Sequence, residues 1–199
     1  MVASPAVTIP RLTLVLLTSL LVAYCASGAA ELLIYDRVAI LQGQWWRLAT
    51  GHWVHFSHAH LLCNLLVIAS AGSLIETARR GDLALLCALA ILPAGPVLML
   101  AEPGLVQFGG ASGVACALVV YAALSGLATP GRWRTVCALL LGVVALKLLV
   151  EWGTGWSLSA GMSQRDFAPV PLSHFVGAFG AFGLWCWRTR LPRSAASAA

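Results

Sequence analysis

Gly109-Gly110-Ala111-Ser112-Gly113-Val114-Ala115-Cys116-Ala117-Leu118 opens a stretch that carries no charge through to Ala128. Its apolar part, residues 112–128, reads as one crossing of a bilayer, for which a helix needs about 20 apolar residues. Five comparable segments lie around it, at about 12–30, 60–78, 82–100, 135–151 and 171–188. Short breaks separate several of them: Arg79-Arg80-Gly81-Asp82, Glu102-Pro103-Gly104 and Thr129-Pro130-Gly131-Arg132. The whole chain agrees with that reading. Of its 199 residues 60% are hydrophobic and only 10% charged, with a mean hydropathy of +0.88. Soluble domains carry about 25% charged residues. The expected fold is an all-α membrane protein, a bundle of six transmembrane helices.

Charge placement orients the bundle. If the N-terminus is cytoplasmic, that side receives Arg11, Arg79, Arg80, Arg132, Arg134, Arg188, Arg190 and Arg193. The outer side receives Arg37, Arg47 and Arg165, while Lys147 lies within the fifth segment. The excess of arginine on one side is the positive-inside pattern, and it predicts both termini cytoplasmic. The acids Glu31, Asp36, Glu102 and Asp166 fall outside, with Glu151 at the outer end of the fifth segment. The domain plan is then a cytoplasmic N-terminus (1–11), a membrane domain (12–190) and a cytoplasmic tail (191–199). The run after Arg11 also has the look of a signal peptide, but its length favours an uncleaved first helix.

A net charge of +5 does not imply nucleic acid, because the arginines flank apolar runs and form no basic stripe with interleaved aromatics. The cysteines Cys25, Cys63, Cys87, Cys116, Cys137 and Cys186 stand singly, so neither a disulfide framework nor a metal site is expected. The histidines His52, His55, His58 and His60 do not set three ligands on one regular face beside a carboxylate. No metal and no cofactor are predicted. The outer loop, 31–58, mixes aromatic and polar residues in Gln44-Trp45-Trp46-Arg47-Leu48 and His52-Trp53-Val54-His55-Phe56. It reads as partly embedded at the water–lipid boundary, as do Trp152 and Trp156. Gating of access and simple anchoring are both open to this loop.

The second, fourth and sixth segments all begin at the outer face. Their first turns hold His60 and Asn64, Ser112, and His174 respectively. At about 1.5 Å of rise per residue these groups lie at similar depth, and polar side chains inside a membrane default to function or mutual pairing. Ser112 fits a nucleophile and His174 its general base. The unpaired N–H groups at the start of the fourth helix suit a developing oxyanion. His60 and Asn64, spaced i, i+4, share a face from which both can donate to it. Gly110 lets the backbone turn tightly. Gly113 with Ala117, and Gly177 with Ala181, form small-xxx-small pairs that bring the two helices close. No carboxylate lies in the first turns of the second, fourth or sixth segment, so a Ser–His dyad is expected rather than a triad. Lys147 reads either as an outward-snorkelling side chain or as a partner of Glu151.

In this order the residues resemble the rhomboid intramembrane serine proteases. The resemblance runs from about Trp46 to Gly183. It rests on Trp46-Arg47, His55-Phe56-Ser57, His60-xxx-Asn64, Glu76, the Gly110-Ala111-Ser112-Gly113 motif and His174-xx-Gly177. A closer resemblance is to the rhombosortase subgroup, through Tyr35-Asp36-Arg37, Gly43-Gln44-Trp45-Trp46-Arg47-Leu48, Thr50-Gly51-His52 and Lys147-Leu148-Leu149-Val150-Glu151-Trp152. The resemblance implies cleavage of a C-terminal anchor (Gly-Gly, apolar helix, basic tail) from exported proteins in a bacterial inner membrane, with the active site toward the periplasm. It departs from the pattern at Cys116, where rhomboids often carry an aromatic ring and rhombosortases a histidine. The partners so implied are membrane-anchored protein substrates and the lipid bilayer. Other readings are a general rhomboid protease, a non-catalytic rhomboid-like protein that binds membrane helices, and a small transporter. The last lacks any internal repeat or broken helix pair.

Overall fold

The computed structural model describes residues 9–154 and 170–190. The expectations placed on Trp156, Arg165, Asp166 and the tail from 191 to 199 lie outside the described residues. Six helical bodies stand where the apolar segments predict them. The first is α1 (Arg11–Cys25), which ends five residues earlier than its apolar run. Gly28, at φ +75°, takes the left-handed turn that separates it from α2 (Ala29–Leu33). The outer segment then folds into β1 (Tyr35–Asp36), α3 (Arg37–Leu41) and α4 (Arg47–Thr50), with a 3₁₀ turn over Gly51–Trp53.

The second body is α5 (His58–Val67) and α6 (Ser73–Ala78), joined without interruption through a π-turn at Ile68–Gly72. Side-chain oxygen of Ser57 accepts the His60 N–H at 3.1 Å and caps α5. The third body is divided into α7 (Arg80–Ile91) and α8 (Ala94–Ala101) at Pro93, which has no N–H to continue the ladder. After β2 (Gln107–Phe108) come α9 (Ser112–Gly126), α10 (Arg132–Thr154) and α11 (Pro171–Arg190).

Three helical stretches, His58–Ala78, Arg80–Ala101 (taken across the Pro93 division) and Arg132–Thr154, are long and apolar enough to cross a membrane. Two more apolar helices, Arg11–Cys25 and Ser112–Gly126, are shorter. The fold is mainly helical, with one correction. Tyr35 pairs with Phe108 and Asp36 with Gln107 in a two-stranded antiparallel ladder. A chain of outer-loop residues needs such a partner because its backbone groups have no helix of their own to satisfy them.

α9 forms the centre of the bundle. It buries Gly113, Val114, Ala115, Ala117, Leu118, Val120, Tyr121, Ala123 and Gly126, spread around its circumference as expected for an enclosed helix. α10 is its opposite. Leu139, Val143, Leu146 and Leu149 are exposed, an apolar outer surface, and among its few buried residues is Glu151.

Two polar locks tie five of the six helical bodies together at one end, α10 taking part in neither. The Glu76 carboxylate, at the end of α6, accepts the N–H groups of Leu12 and Thr13 and the Thr13 hydroxyl, each at 2.8 Å. That satisfies orphan donors at the start of α1 and places an anion at its positive end. Asp82, at the start of α7, accepts from Tyr121 of α9 and from Arg188 near the end of α11. The start of α1 and the end of α11 therefore lie on one face, and Ser112 and His174 on the other.

Candidate active site

Ser112 is the first residue of α9, and the preceding turn is unusual. Gly110 has φ +135°, a conformation that favours glycine. A Cβ there would stand 2.7 Å from the His60 ring. Gly110 thus turns the chain sharply into α9 while letting the imidazole press against its backbone.

On α11, His174 reaches across to that serine. Its Nε2 lies 2.8 Å from Ser112 Oγ, and the imidazole is buried. The close approach has a steric cause. A Cβ at Gly177 would meet the Gly113 carbonyl oxygen at 2.1 Å, and one at Gly113 would meet the Ser173 carbonyl at 2.8 Å. Only hydrogen at both positions lets α9 and α11 touch through their backbones. The small-residue packing expected of Gly113 and Gly177 is present.

One expectation fails here. A carboxylate does sit beside His174. Glu151 Oε2, from near the C-terminal end of α10, is 2.8 Å from His174 Nδ1. Its other oxygen accepts from Lys147 Nζ at 2.6 Å, and Nζ is also 3.1 Å from Nδ1. A search confined to the first turns of the helices that start outside misses Glu151 because α10 runs the other way and presents its C-terminal end at that depth. The signal was present in Lys147 and Glu151, two ionisable residues i, i+4 in an apolar segment. Lys147 is paired rather than turned outward alone.

His60 and Asn64 line, with Ser112, His174, Lys147 and Cys116, an open cavity of about 290 Å³. Cys63, Val67, Val119 and Val144 give it an apolar wall. Asn64 is buried, and its Nδ2 donates to His55 Nε2 at 2.9 Å. An amide NH₂ has two hydrogens, so this bond leaves a second donor on Asn64.

His55 is a residue that sequence reasoning did not place in the site. Its Nδ1 lies 3.3 Å from the Trp53 carbonyl, and the Ala111 N–H donates to Nε2 at 3.4 Å. Nε2 thus accepts two donors and Nδ1 carries the proton, which defines a neutral tautomer. Burial, reinforced by His60, pushes the His55 pKa down from 6.5 to about 4. His52, wholly buried, directs Nδ1 to the Gly110 carbonyl at 3.3 Å, and burial lowers it to about 4 too.

Further bonds tie this loop to the site. Gly110 N–H donates to the Gly51 carbonyl at 3.1 Å, and Arg37 N–H to that of Val106 at 2.9 Å. Together with the β1–β2 ladder they fasten residues 35–55 to the turn that carries Ser112. Trp46 and Arg47 serve that segment and do not line the cavity. Trp46 Nε1 donates to the Leu32 carbonyl, and buried Arg47 to the carbonyl of Ile34 and the side chain of Gln44. The histidines of this region are committed to such contacts, His58 standing edge-on to Tyr24. Among the described residues no group of three His, Cys, Asp or Glu side chains could hold a metal ion.

A Ser–His contact at a helix start, inside an apolar helical bundle, can be compared with known families. The Rhomboid domain model matches residues 42–189, most of the chain. The chain belongs to the rhomboid family. That is a family of intramembrane proteases acting on membrane proteins within the bilayer, and the rhomboid match covers every residue of the cavity described above. No curated protein matches the chain significantly.

Proposed function

We propose that this rhomboid-family chain is an intramembrane serine endopeptidase in which Ser112 is the nucleophile and His174 the general base. The observation that carries the reading is the 2.8 Å contact between Ser112 Oγ and His174 Nε2 at the wall of an open apolar cavity. That distance is within reach for proton transfer.

In the first step Ser112 Oγ bonds to the scissile carbonyl carbon while His174 Nε2 takes its proton. The carbonyl oxygen becomes an oxyanion. The backbone N–H groups at the start of α9, which have no intrahelical partner, would donate to it, with the second Asn64 hydrogen and the His60 ring on the same cavity wall. The imidazolium then protonates the leaving amine as the C–N bond breaks. Water then gives a proton to His174 as it bonds to the acyl carbon, and the imidazolium returns that proton to Ser112 Oγ as the acyl–Oγ bond breaks.

The apolar wall suits a substrate helix entering from the bilayer, with helix-weakening residues such as glycine making its unwinding cheaper. On the resemblance to rhombosortases, the substrates are exported proteins with a Gly-Gly motif, an apolar helix and a basic tail. The site then faces the periplasm of a bacterial inner membrane, with six spans and both termini cytoplasmic. The arginine distribution supports that orientation.

Reconstitution in liposomes with a single-span reporter tests this. Wild-type protein is expected to cut a reporter carrying Gly-Gly before its apolar helix and arginines after it, and Ser112→Ala to leave it intact. Cutting of reporters regardless of the Gly-Gly motif would retain the protease and remove the subgroup assignment. Binding of the reporter without cutting would identify a non-catalytic helix-binding protein.

A further inference from the structure

We infer that Glu151 is a positioning residue for His174, held in its ionised form by Lys147, so that the machinery is a Ser–His–Glu relay of contacts rather than an isolated pair. The inference rests on the catalytic reading of Ser112 and His174. Glu151 is on the helix least suited to a carboxylate. α10 turns much of its surface outward, yet the Glu151 side chain has no exposed surface. Burying an unpaired carboxylate costs several kcal/mol, whereas a paired one is tolerated. Pairing with Lys147 alone could be achieved at a half-exposed position on any face of α10. Instead the second oxygen is spent on His174 Nδ1 at 2.8 Å.

The contact fixes the imidazole. With Lys147 Nζ 2.6 Å from Oε1, the carboxylate is an anion with acceptors only. A bare Nδ1 lone pair 2.8 Å from Oε2 would set two acceptors against each other, so Nδ1 carries the hydrogen. Nε2 is then left with its lone pair toward the Ser112 hydroxyl, the tautomer a general base requires. The 3.1 Å approach of Nζ to Nδ1 follows from two donors sharing one carboxylate. When His174 takes the serine proton, Glu151 faces the new imidazolium charge; the Nδ1 proton stays on the ring. Among the described residues, the other polar groups about the imidazole include Ser112 on α9 and His60 on α5. Trp152 and Phe175, the residues following Glu151 and His174, pack edge to face at 5.4 Å and hold the two helix ends together.

The test uses the full chain in detergent and a fluorescent fluorophosphonate, in which Ser112 Oγ bonds phosphorus as fluoride leaves. Varying probe concentration separates the maximal inactivation rate from the binding constant. Glu151→Gln is expected to lower the maximal rate at least ~100-fold with the binding constant unchanged. Glu151→Asp should recover part of the loss, because it restores the charge. The double variant Lys147→Met/Glu151→Gln removes both charges of that ion pair and should melt near wild type yet label as slowly as Glu151→Gln. A double variant labelling within threefold of wild type, or equal rates for the Asp and Gln variants, would overturn the positioning role. Failure of the wild type itself to label would overturn the protease reading on which the role depends.

Discussion

At the residue scale the site depends on single polar atoms facing the right way, and His55 is the clearest case. It was visible in the sequence as one of four nearby histidines, but nothing in their spacing tells which nitrogen meets which backbone group. Its Nε2 receives the Ala111 N–H and the Asn64 amide, so it couples the outer loop to the turn before Ser112. His55→Leu strands both donors in a buried place, at a cost of about 1–3 kcal/mol for each group left unpaired. The thermal midpoint is expected to fall, and Ser112 labelling by a fluorophosphonate to slow. Acid should act on the same contacts. His52 and His55 are both held neutral, with values near 4 against 6.5 for a free ring. Their stabilising contribution is therefore complete above about 6.5 and is lost as pH falls toward 4. Each pH unit in that window costs up to about 1.4 kcal/mol per histidine. Thermal melts at pH 7 and pH 5 are expected to show a drop that His55→Gln reduces; an equal drop in both proteins would remove His55 from the explanation.

At the element scale the contact between α9 and α11 controls the distance between nucleophile and base. The pairing of Gly113 and Gly177 was legible because small residues four apart report close helices whatever the exact crossing. Gly177→Leu places a side chain where a Gly113 carbonyl oxygen stands 2.1 Å from an ideal Cβ, so the helices must separate. Ser112 labelling is expected to vanish and the melting temperature to fall, overpacking typically costing about 1–3 kcal/mol. Gly183→Leu, which meets nothing within 4 Å, should retain labelling and serves as the comparison. The apolar segments also foretold all six helical bodies. Their internal breaks were less visible. Hydropathy does not register the turn at Gly28 or the division at Pro93, and an all-helical reading had no means of finding β1 and β2, whose two-residue strands are defined by a partner 71 residues away in the Asp36–Gln107 pair.

At the scale of the whole molecule, a layered polarity emerges. One face is tied by Glu76 to the start of α1 and by Asp82 to α9 and α11; the other gathers Ser112, His174, His60, Asn64, Lys147 and Glu151. The alternating direction of the apolar segments was enough to bring the first four to one depth in the sequence reading. The same rule applied to α10, which runs antiparallel to α9 and α11, would have added Glu151, since the end of such a helix meets the starts of its neighbours. The cavity and its apolar wall required packing, which no segment specifies alone. On the proposed mechanism this arrangement makes one serine nucleophilic. The most direct test of this is mass-spectrometric mapping of a fluorophosphonate adduct on the purified protein in detergent, beside Ser112→Ala and His174→Ala. The expected result is a single adduct on Ser112 in the wild type, none in Ser112→Ala and a strongly reduced yield in His174→Ala. An adduct on another residue, or an equal yield from the wild type and His174→Ala, would contradict the assignment.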